Sequence, residues 1–423
     1  MTRTVLGGGS IFDGVDGRIH AGDLAMESGR IVAIGTGLDG DSLVDCSGTT
    51  LLPGLIDCHV HVTIPGLELA MLIDQPLSYR LLMAARIMEQ TLLAGITTAR
   101  DAGGADVGLK MAQRDGIARG PRLQVSIGMI SQIGGHADEW HLGGATVAAL
   151  FLKHVNAPAS VVNGPDDMRR VARELIRAGA DTLKVATSGG VLSPTSQPHQ
   201  SHLDEDELER LSREAMRADV PVMAHAHSNA GIKSAIKAGF RSIEHGSHLD
   251  DQAIEMMLSA GIWLVPTLSA SHHMRSQLAA GHPMPARTKT AVEEVAAAHF
   301  DSARRAIAAG VRIAMGSDAG VSPHGANLTE LSLLVQCGMS PSAALLSATS
   351  SASRLLRIET EAGTLEPGKT ADITVVEGNA LDLPIQPDRI RAVYQDGRKH
   401  QPTVDTRSMD RVARGDRREG TLT

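Results

Sequence analysis

What most constrains the folding of this chain is an alternation that runs through most of its length, in which short apolar runs are each followed by a longer amphipathic stretch. Eight of the short runs read as strands, at residues 51–61, 96–101, 123–130, 182–187, 220–227, 242–245, 262–268 and 311–318. Residues 79–94, 166–178, 204–218 and 287–309 carry helical periodicity between them. Gly95, Gly179, Gly239, Gly261 and Gly310 stand where a left-handed C-terminal cap is expected. Eight strands joined by helices is the count of a closed parallel barrel, so the expected fold class is α/β, a (β/α)8 TIM barrel. A doubly wound open sheet can be written from the same alternation, but it leaves unexplained why polar residues gather at the end of nearly every strand.

The two ends lack this alternation. Residues 1–50 and 365–402 hold short β-type segments with Gly turns and are expected to pair into one small β-sandwich beside a barrel spanning 51–364. Residues 403–423, charged and Gly-containing, read as a flexible tail.

Composition narrows the function classes. Aromatic residues are 2% of the chain, so the core must be filled by aliphatic side chains, and the stacking platforms of a single-strand nucleic-acid binder are missing. A formal net charge of −8 argues against any polyanionic partner. Three cysteines, Cys46, Cys58 and Cys337, fit a reducing compartment better than a disulfide framework. The N-terminus has no apolar leader-like core and no run approaches a membrane span, so the expectation is a cytoplasmic protein without nucleic-acid or membrane partners.

The polar residues at the strand ends form a recognisable set. In Asp57-Cys58-His59-Val60-His61 the two histidines are two apart on a strand, point to one side and can grip one ion, with Cys58 facing the other way. Lys184 lies inside an apolar strand, where its charge must be paired or removed; carboxylation by CO2 is one way, and snorkelling to the barrel rim is the plainer alternative. His225-Ala226-His227, Glu244-His245-Gly246 and Gly316-Ser317-Asp318 end three further strands. Together they occupy the C-terminal ends of the first, fourth, fifth, sixth and eighth strands, the face where barrel enzymes build their sites. Gly7-Gly8-Gly9 is no phosphate loop, because no Gly-Lys-Ser/Thr follows it.

With these motifs in place the chain resembles the amidohydrolase superfamily. The likeness runs from Pro53–His61 through Ser317–Gly320 to Gly363–Asp372, and covers nearly the whole chain. Gly134–Asp138, Lys184 through Thr195, His225–His245 and Pro323–Gly325 are similar to the binuclear-metal branch of Xaa-Pro dipeptidases, metal-dependent carboxypeptidases and ochratoxin-degrading amidohydrolases. The resemblance implies two divalent ions, expected to be zinc: His59, His61 and Asp318 on one, His225 and His245 on the other, and a carboxylated Lys184 bridging them. It also implies Asp318 as the proton carrier, and His136, His227 and His324 as substrate contacts. Ala137 stands where this pattern expects Gly.

The implied enzyme is a hydrolase of amide or peptide C–N bonds, acting on a small molecule and releasing an amino acid. A dipeptide, an N-acyl amino acid and an ochratoxin-like N-aroyl phenylalanine are the expected substrates. His324, Arg275 and Arg287 are candidate partners for a substrate carboxylate, and relatives of this branch imply a homo-oligomer. The alternatives are a urea or carbamate C–N hydrolase of the same branch and a mononuclear deaminase or cyclic-imidate hydrolase, which lacks the strand-four lysine. An inactive scaffold barrel would have lost ligands, and all six are present. His199 and His202 are expected at the surface, Trp140 and His141 in a pocket wall or a packed loop, and His248, His272, His273 and His299 outside the site.

Overall fold

The structure, a computed structural model, describes residues 2–67, 75–140, 158–193 and 195–400. Expectations concerning His141 and the tail from residue 403 lie outside the described residues. The barrel is built from parallel strands. Leu55–Val60, Ile96–Asp101 and Arg122–Val125 pair in order, and Met129–Gln132, Leu183–Ala186, Val222–Ala226, Ser242–His245, Trp263–Val265 and Arg312–Ile313 continue the ring. The third strand is therefore in two pieces, bent at Ile127, whose φ of 67° is costly for a β-branched residue. Backbone bonds from Cys58 N to Met315 O (2.9 Å) and from His61 N to Ala319 O (2.7 Å) join the last strand to the first and close the barrel. The expected (β/α)8 class holds.

The helices form where periodicity and caps placed them. Glu205–Arg217 opens on a capping box between Asp204 and Glu207. Gly95, Gly179, Gly239, Gly261 and Gly310 all take positive φ, the backbone that lets each helix stop and turn back toward the next strand. Leu183, Val185, Ala224 and Ile243 on the strands pack against Leu175, Leu208 and Ile232 of the surrounding helices, all buried. Among the described residues no helix is long and apolar enough to cross a membrane.

The chain ends meet in a separate eight-stranded sheet, in which Thr49–Pro53 pairs antiparallel with Ile373–Glu377. Its own core includes Leu6, Leu24, Leu51 and Ile373. The run that reads as one strand from 51 to 61 is thus two strands in two sheets, divided at Gly54. Gly54 N donates to Asp372 O at 2.8 Å, and a Cβ there would lie 2.2 Å from Thr97 Oγ1, so the crossing between sheets admits no side chain.

Candidate metal centre

Two clusters of donor atoms face each other at the C-terminal end of the barrel. His59, His61 and Asp318 form one, and His225, His227 and His245 the other; within each, the atoms lie within 4.8 Å of one another. In the first, Asp318 Oδ1 stands 3.6 Å from His59 Nε2 and 3.4 Å from His61 Nε2. The bond from Asp318 N to His59 O (2.8 Å) seats the carboxylate there, on a left-handed backbone of φ 52°. Ring centroids of His59 and His245 are 5.1 Å apart, so the clusters are adjacent.

Hydrogen bonding leaves one ring nitrogen of each imidazole facing inward. His59 Nδ1 donates to Glu244 Oε2 (2.7 Å), His61 Nδ1 to Gly103 O (2.8 Å) and His225 Nε2 to Gly189 O (3.2 Å). Thr267 Oγ1 spends its proton on Pro266 O, so it accepts from His245 Nδ1 at 2.7 Å. These outer bonds turn His59 Nε2, His61 Nε2, His225 Nδ1 and His245 Nε2 inward, the orientation a ligating histidine requires. Burial then holds His59 (about 4), His225 and His245 below the usual imidazole range, hence neutral. His61 is raised instead: burial opposes this, but Asp318, Asp101 and the Gly103 carbonyl together prevail.

Lys184 lines the same cavity as both clusters. Its strand pairs it with Met223 on one side and Met129 on the other; it is 0% exposed and its Nζ has no hydrogen-bond partner. Burial pushes its pKa down to about 8, against the pull of Glu244 and Asp318. Asp318 sits well below the usual carboxylate range: burial opposes this, but His59, His61 and Lys184 prevail. The chain thus gathers imidazole nitrogens, an ionised carboxylate and an orphaned buried amine in one place, residue types that fit divalent cations.

A buried scaffold holds these side chains. Asp57 accepts from His59 N (3.1 Å), Ser317 N (3.0 Å), Ser317 Oγ (2.5 Å) and Asn327 Nδ2 (2.8 Å), tying the first strand to the last. Glu330 accepts from Leu268 N, Ser269 N and Ser269 Oγ at 2.7–2.9 Å and so fixes the turn carrying Thr267. His299 binds Ser271 Oγ, His245 O and Pro266 O. Sequence reasoning assigned none of these roles, and only the burial of charge in apolar strands, as at Asp57, could have hinted at them.

Of the expected substrate contacts, His136 and His227 line the cavity with the two clusters. The His136 ring stacks on His225 at 4.2 Å between centroids, its Nδ1 is buried without a partner, and burial lowers its pKa to about 3. His227 Nδ1 bonds Ser247 Oγ at 2.7 Å. His324 is buried but lies outside this cavity wall, with Nε2 donating to Ile64 O at 2.9 Å. Arg275 is exposed and Arg287 donates to Ser196 O. His199 is exposed as expected, whereas His202 is not at the surface. It is 4% exposed and carried inward by its backbone bond to Thr187 O (2.9 Å), close enough to influence the charge of His136. The opposite wall is apolar: Ile64, Met129, Val191, Leu192, Met274 and Val321.

Gly190 makes room for His136, since a Cβ there would lie 2.2 Å from the ring Cε1. Gly190→Ala is expected to displace that ring and lower kcat/KM by on the order of 100-fold, with metal content unchanged. Steady-state kinetics beside a metal assay checks it. A larger cleft of about 780 Å³ opens elsewhere, among Arg241, Arg312 and Arg357. Its charges are engaged by the fold: Arg241 binds the Leu355 carbonyl, Arg312 donates to Gly261 O and Arg357 pairs with Asp219.

The chain is similar to known proteins in sequence and in fold. The sequence pattern of the amidohydrolase family matches residues 50–409. Ochratoxinase from Aspergillus niger is 32% identical over 366 residues, covering 82% of this chain and 75% of the relative. A crystal structure of a Xaa-Pro dipeptidase with methionine bound in its active site superposes with a TM-score of 0.86 at 30% identity, over 95% of this chain and 100% of that one. Imidazolonepropionase of Rhizorhabdus wittichii is 28% identical, over 85% of this chain and 88% of its own. The chain belongs to the amidohydrolase family and is a hydrolase of C–N bonds.

Proposed function

We propose that the chain hydrolyses an amide bond whose leaving group is an amino acid, using water activated between two divalent cations. The observation that carries this is Lys184, fully buried, without a hydrogen-bond partner, and lining one cavity with two groups of donor atoms. His59, His61 and Asp318 would hold one cation, and His225 and His245 the other. Lys184, carboxylated on Nζ by CO2 with loss of a proton, would supply oxygen to both. The nitrogen-rich set suits zinc. Two such ions supply a water whose pKa falls to about 7 and a Lewis acid for the scissile carbonyl.

The remaining chemistry belongs to the chain. Asp318 accepts the proton of the attacking water and returns it to the departing nitrogen, so no nucleophilic Ser or Cys is needed. Neutral His136 and His227 donate to the carbonyl oxygen as negative charge develops on it. The apolar wall of Val191, Leu192, Met274 and Val321 excludes water and receives an apolar substituent of the substrate. Two relatives support the substrate class, one named for ochratoxin and one for Xaa-Pro dipeptides.

The likeness to imidazolonepropionase favours a second reading, ring opening of a cyclic amide or imide. A panel of Xaa-Pro and Xaa-Phe dipeptides, N-acyl amino acids, ochratoxin A and a cyclic imide, assayed with and without chelator, separates them. We expect an amino-acid-releasing amide to be turned over, with activity lost on chelation and restored by zinc. Turnover of the cyclic imide alone, or of nothing in the panel, contradicts this.

A further inference from the structure

Beneath the two donor clusters lies a buried cation that the chemistry above does not use. Arg100, on the strand Ile96–Asp101, is 2% exposed. Its guanidinium binds in three directions: Nε donates to Cys58 O (2.7 Å), Nη1 to Ser242 Oγ (3.3 Å) and Nη2 to Glu244 Oε1 (2.9 Å). Glu244 is itself fully buried, accepts from Ser242 Oγ at 2.5 Å, and takes His59 Nδ1 on its other oxygen at 2.7 Å.

The placement of these bonds gives them a meaning beyond charge balance. Cys58 precedes His59 on the first strand, and Glu244 precedes His245 on the sixth. Those strands are not neighbours: the first pairs with the second and bridges to Ala319 of the last, and the sixth pairs with Val222–Ala226 and Trp263–Val265. No backbone ladder joins these two strands directly, and the ring connects them only through the strands between. Arg100 and Glu244 span that gap directly.

We propose that Arg100 and Glu244 are positioning residues, a brace that sets the separation of the two donor clusters and holds His59 as the Nδ1–H tautomer with Nε2 toward Asp318. This rests on the metal-binding reading of the site. A buried ion pair kept for stability alone is replaceable by neutral groups without effect on ligand binding. A brace is not.

The test uses the full chain carrying Arg100→Met together with Glu244→Gln, which removes both buried charges and strands neither. The metal-free protein is melted, titrated with zinc against a chromophoric chelator, and loaded with cobalt(II) for its visible spectrum. We expect a melting point close to that of the parent, zinc affinity lower by about 10–100-fold, and an altered cobalt spectrum. Glu244→Asp, which keeps the charge but shortens the arm by one methylene, is expected to weaken zinc binding in the same direction and serves if the double variant does not fold. Unchanged affinity and spectrum in a folded variant overturn the brace and leave the metal reading standing. A parent chain that takes up no metal overturns both.

Discussion

Asp318→Asn is expected to lower kcat by about 10²–10⁴-fold while leaving the fold intact. Asn matches Asp in shape and is one of the few side chains that tolerate the left-handed backbone found here, φ 52°. The backbone bond from residue 318 to His59 O survives, as does an oxygen facing His59 and His61. What disappears is the capacity to take a proton from water and return it to nitrogen, together with the negative charge offered to a cation. The pairing of a large loss in turnover with an unchanged melting curve distinguishes this role from a structural one. A fall of only a few-fold in kcat would remove Asp318 from the proton path.

Lys184→Met is expected to have two opposite effects. Activity falls to background, and metal uptake drops below the parent's, because the group that would join the two sites is gone. The metal-free protein, in contrast, gains stability, because an amine that is 0% exposed and has no partner is exchanged for an apolar chain of similar length. An unsatisfied buried polar group costs about 1–3 kcal/mol, which sets the size of the gain. Thermal melts of the metal-free forms and metal analysis of both proteins check this. A destabilised variant would mean that Lys184 is held by the fold rather than spent on the site.

The same trade appears in the backbone. His245, Thr267 and Asp318 all take positive φ (69°, 54° and 52°), and each adjoins or belongs to the donor clusters. Such conformations cost of order 1–3 kcal/mol apiece and persist where surrounding contacts over-determine them. Here those contacts are Glu330 at the 267–269 turn, His299 at the carbonyl of His245, and Asp57 with Asn327 around Ser317.

These supports explain what the sequence could and could not reveal. Side chains two apart on a strand share a face whatever the rest of the chain does, so His59 with His61, and His225 with His227, were legible as pairs. Glycines after helical periodicity marked the helix ends because no other residue stops a helix so cheaply. The brace was not legible: Arg100 and Glu244 are 144 residues apart and meet only inside the closed barrel. His202, in the loop after Thr195, reads as a surface residue, yet its backbone bond to Thr187 draws it inward. The division at Gly54 was hidden for a related reason. Apolar residues stand on both sides of Pro53-Gly54, and it is the long-range pairing with Ile373–Glu377 that assigns the first of them to another sheet.

The measurement that bears most directly on this account is the metal content of the purified chain, by elemental analysis against protein concentration. The account predicts close to two divalent ions per chain, zinc foremost, and their loss together with activity on chelation. One ion or none in an active enzyme would contradict it, since Lys184 would then have nothing to join.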